Sequence, residues 1–132
     1  MLRKSITPPA LQSYYDDWCF SPAIESDGLV FLSGFTGVAA DGSLPNDPEG
    51  QFIQAFETVK LVLTEAALDF RHVIEMTSYH VGLRDHLALF RQVRERYVTE
   101  PYPAWTAIGV AELAVEGALV EVRITASRTA LD

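Results

Sequence analysis

The alternation of apolar and polar residues near the start of the chain predicts a β-hairpin. Two apolar runs, residues 19–24 and 29–34, flank the pair Asp27-Gly28. An Asp-Gly pair between apolar runs is typical of a hairpin turn, because both residues accept a positive φ. Gly34 then interrupts the second run. We therefore expect two antiparallel strands here.

Two later segments carry apolar residues at helical spacing. The first follows Asp47-Pro48, an N-cap residue with a proline at the first helical position. Its apolar stripe consists of Phe52, Ile53, Phe56, Val59, Leu63 and Ala66. For the second helix we predict Asp85 as the N-cap, and two prolines after residue 100 end the pattern. Its apolar face consists of Leu87, Phe90, Val93 or Arg94, and Tyr97.

Three further segments have the character of strands. Residues 73–81 are rich in β-branched and aromatic side chains, and residues 104–110 and 119–126 follow the second helix. In the last segment one alternating set is apolar and suits a helix-covered face: Val120, Val122, Ile124 and Ala126. The other set is mixed and suits a subunit interface with a polar pocket: Leu119, Glu121, Arg123 and Thr125.

The predicted order is β-β-α-β-α-β-β in a single domain over residues 1–132. This order indicates an α+β fold with one mixed sheet and both helices packed on one of its faces. The opposite face of the sheet must then be solvated or covered by another subunit.

The charge and hydropathy of the chain argue against two classes of partner, nucleic acids and membranes. The net charge is −8, and the ten basic residues are scattered or interleaved with acids, as in residues 91–96. Nucleic-acid binding requires clustered Lys and Arg that displace counterions from phosphates, so we expect no nucleic-acid partner. No apolar stretch approaches the roughly 20 residues that cross a bilayer, and the first nine residues do not resemble a signal peptide. We expect no membrane partner.

Cysteine and histidine usage gives two more expectations. Cys19 is the only cysteine, so no intrachain disulfide is possible and a cytoplasmic location is the simplest. It flanks an apolar run, and we predict a small buried hydrophobe rather than a reactive thiol. His72, His80 and His86 lack the spacing of metal ligands, so we expect no metal and no cofactor.

Several short motifs occur in a fixed order along most of the chain from Phe20 onward. They are Phe20-Ser21-Pro22-Ala23, Leu32-Ser33-Gly34, Thr58-Val59-Lys60 and Pro103-Ala104. Each is weak alone, but the ordered set in a chain of this length resembles the RidA/YjgF family. The resemblance implies a chorismate-mutase-like α+β fold that assembles into a barrel-shaped homotrimer, with a small-molecule cleft between adjacent subunits.

The resemblance also implies which residues line that cleft. The water-activating glutamate of the family corresponds to Glu121, which would be the catalytic acid/base. The residue after the glycine of the Ser-Gly turn, often glutamine in the family, is Phe35. The substrate-binding positions correspond to Phe20, Ser33, Gly34, Trp105 and Ala107.

Trp105 departs from the family pattern, because the family has a carboxylate-binding arginine at this position. A guanidinium offers a permanent charge and a planar fork of donors, whereas an indole offers one N–H and an apolar face. A substrate such as 2-aminoacrylate should therefore bind poorly, since its carboxylate would be buried without a cation. The indole either plugs the cleft and packs the trimer, or stacks on a ligand.

The expected function is hydrolysis of a small imine or enamine, a deaminase-type reaction, on a substrate other than 2-aminoacrylate. One alternative is a non-catalytic trimer that binds a metabolite or regulates a partner. A third, taken from labels on homologues, is an endoribonuclease.

The roles of five other side chains stay open in the sequence. Arg91 lies on a solvated helix face or reaches a neighbouring cleft. Arg123 lies two residues from Glu121 on the same strand face and could form an ion pair with it. An aromatic group before the first predicted strand packs over the domain edge or roofs the cleft: Tyr14, Tyr15 and Trp18.

Overall fold

A mixed sheet of six strands organises residues 2–129, the part of the chain that this computed structural model describes. The strand order is β1-β2-β3-β6-β4-β5, and neighbours are antiparallel except for the parallel pair β4 and β5. The strands are β1 (Lys4–Ile6), β2 (Ala23–Ser26), β3 (Leu29–Leu32), β4 (Val73–His80), β5 (Ala104–Gly109) and β6 (Val120–Ser127).

The described part of the chain has the helices α1 (Gln12–Asp16), α2 (Pro48–Glu65) and α3 (Leu83–Arg94), with 3-10 turns at Pro9–Leu11 and Phe70–His72. The two long helices, α2 and α3, cover one face of this sheet. Asp47 caps α2 as predicted, because its carboxylate accepts a hydrogen bond of 2.9 Å from the Gly50 amide. The predicted α+β architecture with one mixed sheet is confirmed.

The core lies between the sheet and the two long helices. The predicted stripe of α2 faces it: Phe52, Phe56, Val59 and Leu63 are fully buried, and Ile53 packs at the margin. The predicted inner set of β6 is also buried, with every member at most 1% exposed: Val120, Val122, Ile124 and Ala126. Helical and strand periodicity therefore identified both sides of the same core.

Several details differ from the predictions. β2 begins at Ala23 rather than at residue 19, because β1, which the sequence did not reveal, pairs with it only as far back as the register Ile6↔Ala23. Cys19 is exposed with φ of 58°, so the prediction of a buried cysteine is wrong. It lies in the segment between α1 and β2, and its side chain is exposed.

The start of α3 also differs. Gly82, in the left-handed conformation with φ of 72°, is the N-cap, and Asp85 lies inside the first turn. An aspartate in the first turn still interacts favourably with the helix dipole. Tyr97 lies beyond the end of the helix, although it packs against the core.

The face of the sheet opposite the helices is open in a single chain. It carries polar residues together with Phe31 and Ile108, which are 38% and 40% exposed. Strand β5 is one edge of the sheet. Within residues 2–129, no helix is both long and apolar enough to span a membrane.

Candidate functional site

A small, mostly apolar cavity lies beside β6, and Glu121 is its acidic residue. Its volume is about 190 Å³. Three of the predicted site residues, Phe20, Gly34 and Glu121, line it together. The remaining wall is formed by Tyr14, Trp18, Phe35, Thr36, Val38, Ala114 and Val115.

Gly34 brings the backbone directly against the carboxylate of Glu121. The segment after β3 is tied to β6 by two hydrogen bonds of 2.9 Å between Phe35 and Val122. A Cβ atom at position 34 would lie 2.7 Å from Cδ of Glu121 and would overlap its carboxylate oxygen. The site therefore requires glycine at position 34, for steric reasons rather than for backbone freedom.

The carboxylate of Glu121 has no cationic partner within the described residues. Burial is the cause that raises its pKa above the ordinary value of 4.5. Arg123 is exposed, and no ion pair joins it to Glu121 in this part of the chain. The ion pair considered from the sequence is therefore not formed within residues 2–129. A carboxyl group whose pKa is raised and which has no counterion is a candidate general acid and base.

Aromatic rings form the roof of this cavity. Tyr14 stacks on Phe20 with ring centroids 5.1 Å apart, and its ring lies 6.3 Å from Phe35. Trp18 borders the cavity although it is 72% exposed. The sequence left two placements open for the aromatic residues before the first predicted strand, the domain edge or the roof of the cleft. Tyr14 and Trp18 lie over the cavity, in the second of these placements. Tyr15 instead borders a different, polar pocket beside β1.

Ser33 lies next to the cavity but uses its hydroxyl elsewhere. Its Oγ donates a hydrogen bond of 2.8 Å to the Ser21 carbonyl, and its amide donates one of 2.9 Å to the Pro22 carbonyl. These bonds fix the segment that carries Phe20. In a single chain, Ser33 shapes the wall and does not line the cavity.

Trp105 and Ala107 lie on the other face of the sheet. Trp105 pairs with Met76 of β4, whereas Glu121 pairs with Tyr79. Positions 76 and 79 are an odd number apart in a regular stretch of strand, so their side chains project from opposite faces. One chain therefore does not bring the two family positions together, and a site containing both would need residues from two chains.

On its own face of the sheet, the Trp105 side chain is held by a series of side-chain hydrogen bonds. Its Nε1–H donates a hydrogen bond of 2.9 Å to Oγ of Ser78, and that oxygen lies 2.8 Å from Nε2 of His80. His80 is fully buried and packs edge-on against Phe90 at 4.7 Å. Burial, with a smaller contribution from His86, lowers the pKa of His80 to about 4. The imidazole is therefore neutral at pH 7.

Arg94 covers the indole from α3. Its Cζ lies 4.3 Å from the ring centroid of Trp105, and the residue is 8% exposed. Desolvation by burial is the main cause that lowers the pKa of this guanidinium. Arg91, one turn earlier, is exposed and lies 3.7 Å from Glu95. Sequence reasoning left position 94 as an alternative to Val93 on the apolar face, and in fact both are buried.

The remaining cavity residues carried little sequence signal. Ala114 and Val115 come from the loop between β5 and β6, which has no periodicity that would place it over Glu121. Among residues 2–129, no group of three or more His, Cys, Asp or Glu side chains is arranged to hold a metal ion.

Comparison with known proteins gives a consistent set of relatives. A model of the Endoribonuclease L-PSP family matches residues 16–128. The RutC family protein YjgH of Escherichia coli is 34% identical over 113 residues, which are 85% of this chain and 86% of the relative. A RutC family protein of Aquifex aeolicus is 32% identical over 81% of this chain and 86% of its own length.

Solved structures agree with the sequence relatives. The YJGH structure superposes with a TM-score of 0.87 at 32% identity and covers 96% of this chain and 97% of its own. A structure described as Escherichia coli TdcF with bound serine has a TM-score of 0.77 at 25% identity, over 83% of this chain and 88% of its own. Together with the match over residues 16–128, they show that this chain belongs to the RidA/YjgF family, whose family model is called Endoribonuclease L-PSP.

Proposed function

We propose that this protein hydrolyses a small imine or enamine at clefts between the subunits of a homotrimer, as a deaminase-type enzyme without a cofactor. The observation that carries the proposal is the carboxyl group of Glu121. It lies in a mostly apolar cavity, has a raised pKa and has no cationic partner within the described residues. Membership of the RidA/YjgF family supports the reaction class.

The chemistry requires one proton shuttle. Glu121 accepts a proton from water as the water oxygen adds to the C=N carbon, and it returns this proton to the imine nitrogen, which gives a neutral carbinolamine and restores the carboxylate. The carboxylate then accepts the hydroxyl proton and delivers it to the amine nitrogen, so that the C–N bond breaks, ammonia leaves and a C=O bond forms. An enamine reaches this route after tautomerising to the imine. Tyr14, Phe20 and Phe35 offer apolar contacts to the carbon skeleton.

The trimer is supported by surfaces that one chain leaves open. Phe31 and Ile108 are exposed on the face of the sheet opposite the helices, and β5 is an edge strand. A sheet edge and an uncovered apolar face are surfaces that proteins usually cover. Substrate binding would then draw on Phe20, Gly34 and Glu121 from one chain, with Trp105 and Ala107 from its neighbour, and Ser33 would support the wall.

The test is ammonia release from imines that an amino-acid oxidase generates in situ. Glu121→Gln should lower the protein-dependent rate about 100-fold, the lower end of what general acid/base groups contribute. Gly34→Ala should also lower it, because the added methyl displaces the carboxylate. Glu65→Gln makes the same chemical change at the exposed end of α2 and should have no effect. Equal rates for wild type, Glu121→Gln and buffer would refute the proposal.

A second function is favoured by the hydroxyl of Ser33, which is bonded to the backbone and does not line the cavity. With fewer polar groups than hydrolysis can use, the cavity could serve a non-catalytic trimer that binds a metabolite or regulates a partner. One relative, from Lactococcus lactis, carries the name putative regulator AldR. Saturable ligand binding without ammonia release would support this second function.

We do not extend the endoribonuclease activity in the family's name to this chain. Its net charge is −8. Several arginines are already paired with acids: Arg71 with Asp69, Arg91 with Glu95, Arg96 with Glu49, and Arg128 with Glu25. An RNA backbone requires free, clustered cations. Cleavage of RNA by pure wild-type protein that is lost in Glu121→Gln would contradict this conclusion.

A further inference from the structure

A second cavity adjoins the one that holds Glu121. Its volume is about 350 Å³, compared with about 190 Å³ for the cavity around Glu121. Four residues line both cavities: Tyr14, Trp18, Val38 and Val115. Because they share these residues, the two cavities are neighbouring parts of one groove. A ligand too long for the first cavity has the second as its adjacent space.

The second cavity is lined by side chains that carry no charge at pH 7. Most of them are aliphatic or aromatic: Ala10, Leu11, Tyr14, Trp18, Val38, Ala39, Ala40 and Val115, with Ser13 and Gly42 completing the wall. Burial raises the pKa of the Tyr14 phenol above the ordinary value of 10, so its hydroxyl stays neutral. A charged group placed here would lose hydration without gaining an ionic partner from this wall, whereas an apolar group would lose little.

The volumes indicate that the cavity around Glu121 is only part of a binding site. Pockets that hold small organic molecules usually measure about 300–1,000 Å³. The cavity around Glu121 is smaller than this range, and the second cavity lies within it. The first cavity fits the reacting group of a ligand, and the second fits a larger substituent on it.

Both sides of the second cavity are held in place by the fold. On one side, Leu11 is 4% exposed and belongs to the core. On the other side, the segment after β3 forms a closed turn. In this turn the Ala39 amide donates a hydrogen bond of 2.8 Å to the Ser43 carbonyl, and the Gly42 amide donates one of 2.9 Å to the Ala39 carbonyl. Asp41 accepts hydrogen bonds from the amide and the hydroxyl of Ser43. The cavity is therefore preformed.

Aromatic rings mark the boundary between the two cavities. Trp18 borders both and is 72% exposed, so most of its indole surface is free to contact a ligand. Tyr14 also borders both, and its ring is fixed by stacking on Phe20 with centroids 5.1 Å apart. Aromatic rings pair favourably with one another in stacked or edge-to-face arrangements. The boundary therefore favours an aromatic substituent over a polar one.

We propose that the second cavity is a subsite for an aromatic substituent of the substrate, with the C=N group beside Glu121. The substrate class is then imines and enamines that carry an aryl group a few bonds from the reacting carbon. This inference rests on the proposed hydrolase function for the reaction, but not for the binding of the aryl group.

The first test measures binding without turnover. Phenylacetamide and propanamide carry the same uncharged, planar amide, but only the first has an aromatic ring. In ligand-observed NMR titrations of the wild type, phenylacetamide should bind about 10- to 100-fold more tightly, the factor expected for burying an aromatic side chain. Ala39→Phe fills the second cavity with its own ring and should weaken phenylacetamide binding about 10-fold or more.

Ala88→Phe is the matched control, because it makes the same change at an exposed position of α3 that lines neither cavity. It should leave the affinity for phenylacetamide unchanged. Trp18→Ala removes a ring from the boundary and should also weaken phenylacetamide binding, whereas Trp18→Phe keeps a ring there and should retain most of the affinity.

The second test measures specificity in turnover. An amine oxidase generates the imines of 2-phenylethylamine and propylamine in situ, and protein-dependent ammonia release is followed. The ratio of the two kcat/KM values should favour the aryl imine about 10-fold in the wild type. Ala39→Phe should reduce this ratio, and Ala88→Phe should keep it.

Three results would overturn the inference. One is equal affinity of the wild type for phenylacetamide and propanamide, a comparison that needs no mutation. Another is wild-type affinity for phenylacetamide in both Ala39→Phe and Trp18→Ala. The third is dissociation of the native oligomer in Ala39→Phe from a wild type that does not bind phenylacetamide, because the groove would then be covered by another subunit.

The subsite and the proposed hydrolase function fail in different ways. Phenylacetamide binding that is lost in Ala39→Phe, without ammonia release that depends on Glu121, would keep the subsite and refute the hydrolase. Ammonia release that depends on Glu121 but shows no preference for the aryl imine would do the reverse.

Discussion

The cavity around Glu121 lies on one face of the sheet. On the other face lies a cluster formed by Trp105, Ser78, His80, Phe90 and Arg94. The ionisable group of the cavity is acidic, and the charged group of the cluster is basic. Within residues 2–129, no ion pair joins the Glu121 carboxyl group of the cavity to a cation or the Arg94 guanidinium of the cluster to a carboxylate. Their construction differs as well. The roof of the cavity includes Trp18, which is 72% exposed, whereas His80 and Phe90 under the indole are fully buried.

This contrast shows that one domain can fix two of its regions to different degrees. The cluster is part of the core, so its geometry is fixed when the chain folds. The cavity is bounded by the loop between β5 and β6 and by the short helix α1. These segments are less constrained by packing against the rest of the domain. The difference in construction can be tested by mutation and by pH.

The largest expected effect is on the cluster. Phe90→Ala should lower the free energy of unfolding by about 3–5 kcal/mol, because it removes a fully buried ring that supports both His80 and Trp105. Urea denaturation measures this loss. Trp18→Ala on the cavity roof should change stability by no more than about 0.5 kcal/mol, since the ring is mostly exposed. Equal losses of unfolding free energy in the two variants would mean that the cluster is no more part of the core than the cavity roof is.

A smaller effect should appear as acid destabilisation through His80. Its folded pKa of about 4 lies below the ordinary 6.5, so the folded protein binds fewer protons than the unfolded chain between these values. The contribution of His80 to stability is therefore fully present above pH 6.5 and is lost as the pH falls towards 4. The loss at pH 5 should reach about 2 kcal/mol, because each pKa unit corresponds to about 1.4 kcal/mol.

Unfolding experiments between pH 7 and 5 check this, with His80→Gln as the variant that should show a flatter acid limb. His86→Gln, at the half-buried neighbour, is the control and should keep most of the wild-type slope. An identical slope in wild type and His80→Gln would mean that the imidazole is not the group responsible.

The smallest expected effect has the opposite sign and belongs to the cavity. Burial raises the pKa of Glu121, so folding favours its neutral form. Its contribution to stability is complete below pH 4.5 and is lost as the pH rises through its folded pKa. The wild type should therefore become less stable relative to Glu121→Gln from pH 4 to pH 7. A wild type that instead becomes more stable relative to Glu121→Gln over this range would contradict the absence of a cation beside the carboxylate.

Periodicity was sufficient for most of the fold. The stripe of α2 and the inner set of β6 were identified because regular spacing requires no knowledge of partners. Strand β1 was missed because three residues, Lys4–Ile6, are too few to show alternation. Cys19 was misassigned because apolar neighbours in the sequence do not reveal a residue with positive φ between two elements.

Only part of the candidate site could be predicted from the sequence. Resemblance to a family pointed to Phe20, Gly34 and Glu121, which share one cavity. It could not reveal that Trp105 projects from the opposite face, because facing depends on the strand register with β4. Arg94 stayed an alternative to Val93 because both lie at the margin of the apolar face. Its contact with Trp105 joins residues on different elements, and helical spacing does not report such contacts.

The position of β6 in the sheet has a consequence for synthesis on the ribosome. β6 lies between β3 and β4, yet it is the last of the six strands along the described chain. Until it emerges, the growing polypeptide has two separate strand groups, β1-β2-β3 and β4-β5, with no hydrogen bonds between them. Glu121 lies on this joining strand, so the wall that carries the carboxylate forms in the same step that unites the sheet. A nascent chain therefore has neither a closed sheet nor an acidic pocket until its final strand inserts.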